Sequence, residues 1–269
     1  MGLALDTVSA TVSAPGASFT GATPASGSGD SLTVRQFPAA NQAFITGVVR
    51  RHGTAGAIRV ISPLVHDNVT GLTYYTSETP SLHELPPVVG QPVQPGDTIT
   101  VQMTGATTGN ASAYLFVWYQ NALGVSSQLY NWGDISGLIK NIKPFTVAVT
   151  ASGTIGLWSD TLFTTTENQL HATSYYAILG MTCDTALGVM GVKGNFTGNL
   201  RVCMPAANTP EDTSYWFVDQ ANRHGLPFIP VFSGQDRTAC YVSVQDNAAS
   251  TTSNITVICA ELTNFTPHP

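Results

Sequence analysis

The sequence predicts an all-β chain organised as two tandem domains, and three observations predict it. Short runs rich in β-branched and aromatic residues, bounded by Gly, Pro, Asn and Asp, recur along all 269 residues. Sustained helical periodicity is nearly absent. Similar segments also recur at a near-constant spacing. Gly56, Arg59 and Pro63 reappear as Gly198, Arg201 and Pro205, 142 positions later. Residues 73–76 face 215–218, residues 83–86 face 224–227 through His83-x-Leu85-Pro86 and His224-x-Leu226-Pro227, residues 100–102 face 243–245, and residues 114–118 face 255–259. Matches kept in one order at nearly one offset predict a repeated domain about half the chain long.

In the first half the pattern predicts strands at 7–14, 31–37, 43–51, 57–62, 72–77, 85–89, 98–104 and 113–119. In the second half it predicts them at 145–150, 161–165, 175–182, 199–204, 214–218, 228–232, 239–245 and 254–262. Eight strands with turns of uneven length fit a two-sheet jelly roll, each strand turning one face to a core. Ile58 and Val60 share one face of their strand while Arg59 points the other way, and Arg201 holds the matching place in the later segment. Pro15, Gly16, Gly21, Pro24, Gly27 and Gly29 predict a long loop over residues 14–29. An insertion of about ten residues, including 187–193, is expected before Gly198. A short helix near residues 131–140, capped by Asp134 and apolar at Ile135, Leu138 and Ile139, separates the halves. The expected layout is therefore residues 1–130 as the first jelly roll, 131–143 as linker and 144–269 as the second.

Composition narrows the function. Charged residues make up only 10% of the chain and the net charge is −6, which fits a surface largely covered by other subunits or the uncharged polar surface of a secreted β protein. Nucleic-acid contact through a cationic arm is excluded, since the longest basic run is Arg50-Arg51. The opening residues have neither the charged nor the apolar region of a secretory signal, and no segment reaches the length of a membrane span.

Candidate chemistry is sparse. The six histidines, His52, His66, His83, His171, His224 and His268, form no metal-binding spacing, and His83 and His224 are read as loop-packing residues. His66-Asp67 and Glu211-Asp212 are adjacent pairs in turns, too isolated to signal acid-base work. Cys183, Cys203, Cys240 and Cys259 lack zinc-site spacing and read as buried thiols. Were the second domain oxidised, neighbouring strands would be what brings Cys203 near Cys240 and Cys183 near Cys259. Trp118 and Trp216 fall in apolar strands and read as core. Sequons at Asn68, Asn110, Asn195, Asn254 and Asn264 are discounted in a chain this rich in Asn, Ser and Thr. No catalytic, cofactor-binding or metal residue is assigned, and no enzyme activity is expected.

With two eight-strand modules in tandem, a short joining segment and a low-charge, Thr- and Gly-rich composition, the whole chain resembles the double-jelly-roll major capsid proteins of icosahedral viruses, in particular the compact forms of bacteriophages with an internal membrane. The resemblance implies a homotrimer whose six barrels make a pseudo-hexagonal tile, placement in the virion shell, minor or vertex capsid proteins as partners, a possible internal lipid membrane, and no cofactor. Residues 196–202 and 133–138 are similar to segments of the single-jelly-roll capsid subunits of picorna-like viruses, which would instead imply one barrel per chain. A carbohydrate- or receptor-binding β-sandwich protein is the alternative of another class. Residues 14–29, 68–73 and 182–195 are the candidate outer or contact loops.

Overall fold

The computed structural model describes residues 3–24, 32–33, 42–52, 54–62, 71–76, 81–85, 91–94, 96–105, 107–120, 127–163, 170–207 and 213–268. The first half carries β1 (Leu3–Ser13), β2 (Thr20–Gly21), β3 (Thr23–Pro24), β4 (Leu32–Thr33), β5 (Gln42–Arg51), β6 (Gly56–Ile61), β7 (Leu72–Thr76), β8 (Ser81–Glu84), β9 (Gln91–Val93), β10 (Thr98–Met103) and β11 (Asn110–Gln120). Then come β12 (Leu129–Tyr130) and α1 (Trp132–Ile135), which runs into a 3-10 turn at Ser136–Leu138. The second half continues with β13 (Ile139–Thr150), β14 (Ser159–Leu162), β15 (Tyr175–Cys183), β16 (Val189–Lys193), β17 (Val202–Pro205), α2 (Trp216–His224), β18 (Ile229–Ser233), β19 (Tyr241–Gln245) and β20 (Thr252–Leu262).

The strands form four antiparallel sheets. Two belong to the first half, in the orders β3-β1-β11-β5-β8, with β9 also on β5, and β2-β10-β6-β7, with β4 also on β10. Two belong to the second, β12-β18-β15-β20-β13 and β14-β19-β16-β17. In each half the first long strand pairs with the last, β1 with β11 and β13 with β20. In each half the last long strand has a further long strand on its other side, β5 beside β11 and β15 beside β20. The second sheet of each half, β2, β4, β6, β7 and β10 in the first and β14, β16, β17 and β19 in the second, packs across a shared core.

Strand alternation explains the packing. In β10 the order exposed-buried-exposed-buried puts Ile99, Val101 and Met103 in a core with Ile58 and Val60 of β6 and with Ala113, Leu115 and Val117 of β11. The second half is built the same way: Phe145, Val147 and Val149 of β13 and Ile255 and Val257 of β20 meet Met190, Val192, Val242 and Val244 of the opposite sheet. Burial of one such side chain contributes about 1.5–3 kcal/mol.

The strand order corrects the repeat as the sequence suggested it. The matches at residues 100–102 with 243–245 and 114–118 with 255–259 join strands in the same place of the two orders, β10 with β19 and β11 with β20. The earlier matches do not. Residues 56–61 form β6, whose place in the order is taken by β16 and not by the segment at Gly198. Residues 73–76 lie in β7, whereas 215–218 enter α2. His83 lies in β8, and His224 is the last residue of α2.

Two element assignments change with it. The expected insertion at 187–193 is the core strand β16, made inconspicuous by Gly191, where a Cβ would collide with Cys203 and the Val202 carbonyl. The expected strand at 214–218 instead leads into α2, in which Trp216, Phe217, Val218, Gln220, Ala221 and His224 are buried. The apolar run 215–218 is too short to distinguish the two periods. The helix stops at Gly225, whose φ of 64° makes a left-handed cap and whose N–H donates to the Ala221 carbonyl. The helix near 131–140 is present but shorter, and Asn131 rather than Asp134 precedes it; the Asn131 N–H donates to the Asp134 carboxylate at 3.2 Å.

The remaining expectations fall close to their marks. The strand expected at 31–37 is described only as β4, that at 161–165 begins two residues earlier as β14, and β8 precedes the one expected at 85–89; residues 34–37, 86–89 and 164–165 lie outside the described residues. The long loop at 14–29 contains β2 and β3, pinned to β10 and β1.

Candidate functional site: sheet faces within and beyond the chain

The most extensively built surface of the molecule is the contact between its halves. β11 is buried at nine consecutive positions, which a strand achieves only when both faces are covered. Ala111, Ala113, Leu115, Val117 and Tyr119 face the first half's own core, whereas Tyr114, Phe116 and Trp118 join the core of the second half. Phe116 tilts against Trp216 of α2 at a ring separation of 5.6 Å, and Trp118 meets Phe228 edge-on at 4.8 Å. The Trp118 indole N–H donates to the Thr46 hydroxyl at 3.1 Å. The Tyr114 hydroxyl reaches the Gln245 carbonyl at 3.5 Å and lies where a Cβ on Gly188 would be, so glycine is required there.

Polar groups fix the register of this contact. The Thr7 N–H donates to the Arg201 carbonyl at 2.8 Å, the Arg201 N–H donates to Asp6 Oδ1 at 3.1 Å, and the Cys203 N–H donates to Thr7 Oγ1 at 3.2 Å. The residues just before and within β17 thus run along the edge of β1 and cover backbone that would otherwise be an open sheet edge. Glu84 accepts from Gln220 Nε2 at 2.8 Å and from Arg223, both on α2. Burial opposes ionisation of Glu84, but these two donors and the Arg223 charge hold its carboxyl below the usual range. Asn247 Nδ2 donates to the Asn110 carbonyl at 2.7 Å.

Two charged groups stand apart from that contact. Arg50 is fully buried and donates to the carbonyls of Thr54 and Thr104 and to the Thr76 hydroxyl, tying three loops at one end of the first half. Glu261 is buried near the start of β13, where Ser174 Oγ and Asn141 Nδ2 donate to it at 2.8 and 2.6 Å and Lys143 and Lys140 lie at 3.4 and 3.5 Å. The Ser174 hydrogen bond leads the effects that hold its carboxyl down at about 2.

The residues singled out in the sequence are dispersed. Arg59 donates to Gln102 and lies over Phe19, while Arg201 pairs with Asp160 at 3.0 Å and lies over Trp158. The two arginines therefore serve different places in the two strand orders. His83 stacks on Tyr74 and His268 on Tyr130; His52 Nδ1 accepts the Thr54 N–H; and His224 is buried against Phe228. Cys183, Cys203, Cys240 and Cys259 are free and buried, and burial pushes their thiols up, to about 11 for Cys183 and about 12 for Cys203 and Cys240. Trp118 and Trp216 are buried, the latter in a helix rather than a strand. Asn110 and Asn254 of the sequons lie in β11 and β20. His66-Asp67, Glu211-Asp212 and Asn68 lie outside the described residues.

Among the described residues, no three His, Cys, Asp or Glu side chains converge as metal ligands, and no helix is long and apolar enough to cross a membrane. A cavity of about 240 Å³ lies beside Tyr175, Phe196, Phe265 and His268, and a second of about 530 Å³ beside His52, Asn110, Ile155 and Asn247. The first is also lined by Ser233 and Asp236, and the second by Thr54, whose hydroxyl lies 2.8 Å from His52 Nδ1.

No family model and no curated protein matches the chain. Among solved structures, it is similar to the major capsid protein P2 of bacteriophage PM2 at 7% identity and a TM-score of 0.25, over 99% of this chain and 100% of that one. It is also similar to the major capsid protein of STIV at 7% identity and a TM-score of 0.22, over 97% of both chains. The chain is thus a β-rich protein of several antiparallel sheets, weakly similar in structure to two different viral major capsid proteins.

Proposed function

We propose that the chain is a double jelly roll, one unit in each half, and the structural subunit of an icosahedral virus shell, tiled as pseudo-hexagonal trimers in the virion. The observation that carries this reading is the strand order: each half sets its last long strand between its first and one further long strand, β11 between β1 and β5 and β20 between β13 and β15, and packs a second sheet across the core. Eight-stranded rolls are built this way. The division falls in the stretch around α1, with residues 1–130 and 144–269 as the rolls and 131–143 as the joint; β12, the last two residues of the first range, pairs with β18 of the second unit, and the start of β13 extends that unit's sheet into the joint.

The chemistry of the surface supports the same use. With charged residues at 10%, wide lateral contacts can form without desolvating many ions, which is the chief electrostatic cost of burying a surface. Two units in one chain give a trimer six similar lobes and so a near-sixfold outline, while each lobe keeps its own neighbours. The acidic balance leaves contact with the genome to another layer, a basic protein or a membrane.

Light scattering and electron microscopy of the purified chain test this reading. Closed trimers that associate further into sheets or shells as concentration or salt rises are the expected result. A chain that stays monomeric at every concentration and salt overturns it.

A further inference from the structure

Among the described residues, His224 is the one side chain that buries two polar atoms with no hydrogen-bond partner: the residue is 1% exposed, and neither Nδ1 nor Nε2 is paired. Each unpaired polar group in an interior costs free energy, so a ring that carries two calls for a physical reason. The ring holds the last position of α2 and packs against Phe228 at a centroid separation of 5.6 Å. Phe228 in turn meets Trp118 edge-on. The imidazole therefore stands one ring away from the centre of the contact between the halves. His83, its counterpart in the sequence, stacks instead on Tyr74 of the first half.

One charge of each sign acts on this ring. Glu84 of β8, across the contact, favours a proton on it, and Arg223, its neighbour on α2, opposes one; among the described residues no charge from β15, β18 or α1 adds to these. The C-terminal end of a helix ordinarily favours a cation, but burial outweighs that position and Glu84 together and holds the imidazole neutral. Glu84 is already engaged, accepting from Gln220 Nε2 at 2.8 Å and from Arg223. The two donors are held unequally: Gln220 is buried, whereas the Arg223 side chain is 56% exposed and returns to water at little cost. Because its partners keep the Glu84 carboxyl below the usual range, it stays charged while a histidine titrates.

We propose that His224 is an acid-sensitive latch on the contact between the halves: on taking up a proton, its ring leaves the site beside Phe228, replaces Arg223 on the Glu84 carboxylate, and frees the last turn of α2. A charged ring cannot remain where no acceptor faces it, and Glu84 is the one anion that acts on it among the described residues. An opened histidine has a pKa of about 6.5, and the closed form holds this ring below its ordinary value. The contribution of the neutral ring is therefore complete above about pH 6.5 and is lost as pH falls from there toward the lowered closed-state value. Departure of the ring uncovers Phe228, so acid loosens one half against the other before either half unfolds.

Hydrogen exchange of the peptide covering α2, read by mass spectrometry and corrected for the intrinsic pH dependence of amide exchange, tests the latch. In the wild type this peptide should lose protection by about tenfold between about pH 6.5 and pH 5.5, while peptides of β13 and β20 keep theirs. His224→Leu should hold its protection across the same range. Glu84→Gln, which lacks the carboxylate that receives the ring, should move the acid loss to lower pH by at least about half a unit; a merely structural role for Glu84 would lower protection equally at every pH. A wild-type α2 that stays protected down to about pH 5 overturns the latch, as does a His224→Leu chain that loses protection in step with the wild type. An acid loss whose midpoint is unmoved in Glu84→Gln overturns the exchange of partners, and this variant decides the matter if His224→Leu fails to fold. His52 and His83 are also held below the ordinary value by burial, but they lie against Thr54 and Tyr74. Acid loss confined to their peptides and absent from α2 overturns the assignment to His224.

Discussion

β11 and β20 have the same length, the same place in their sheets and a spacing of 142 residues, yet their environments differ. β11 is buried from Ala111 to Tyr119, while β20 alternates exposed and buried positions from Thr252 to Val257 before becoming buried at its end. The inward residues are alike in character: Ala113, Leu115 and Val117 on one strand, Ile255, Val257 and Cys259 on the other. The difference lies on the outward side, where Tyr114, Phe116 and Trp118 are all buried in the contact between the halves, whereas Thr256 and Ile258 are only half-buried and the small Ala260 alone is fully buried. A β-strand's sequence records two environments at period two, and only the neighbour on the second face separates these two strands.

Substitutions on the covered side sharpen this comparison most. Trp118→Ala is expected to cost about 3–5 kcal/mol, because it empties a site sealed by Phe44, Phe228 and the strands around them. Urea unfolding measures this, and the loss should appear as a lower midpoint. Gly188→Ala is expected to cost about 1–3 kcal/mol by driving a methyl into the Tyr114 hydroxyl. The double variant Gly188→Ala, Tyr114→Phe should recover part of that loss; no recovery would remove Tyr114 as the cause.

On the open side the same kind of change should leave the fold nearly untouched. Thr256→Arg is expected to alter unfolding free energy by no more than about 1 kcal/mol, because Thr256 is half-buried and its hydroxyl meets that of Thr146 at 3.0 Å across the strand pair. A stability loss comparable to that of Trp118→Ala would mean that the β13–β20 face is already covered within one chain.

The acid response separates the halves in a second way. Glu261 has its carboxyl pulled well below the unfolded value of about 4.3, to about 2, chiefly by Ser174. A group lowered in this way contributes its stability fully above the unfolded pKa and loses it as pH falls through the folded one. Melting temperature should therefore drop between about pH 4.5 and pH 2, and Glu261→Gln should flatten that part of the profile while lowering stability at neutral pH. Unchanged curvature in the variant would assign the acid loss to other carboxylates such as Asp160, which Ser243, Lys193 and Arg201 hold down against its burial.

Much of the fold is legible in the residues. The alternation of Ile58 and Val60 with Arg59, of Ile99 and Val101 with Thr100, and of Val147 and Val149 with Ala148 specifies strands with one wet and one dry side. The Trp118 run also announces burial. Where the reading slipped, the local signal was ambiguous. Residues 215–218 hold apolar side chains that suit either period, and the decisive residues, Ala221 and the capping Gly225, lie beyond that window. Residues 189–193 are a strand interrupted by a glycine whose purpose is the close approach of β17. The repeat was detected through two equivalent pairs of strands and three coincidental ones, since similar amphipathic runs look alike wherever they fall.

By itself the sequence determined that the chain is all-β, that it contains strand material for two units, that few charges need desolvating, and that no dense catalytic or metal motif is written into it. These follow from composition and from periods of two residues, which act over a few positions along the chain. Tertiary structure alone decided which strands are equivalent, that Tyr114, Phe116 and Trp118 close the contact between halves, and that the matching side of β20 runs from exposed at Asn254 to buried at Ala260. Those outcomes depend on pairing and packing across more than a hundred residues, where contact free energy rather than local preference chooses the neighbour.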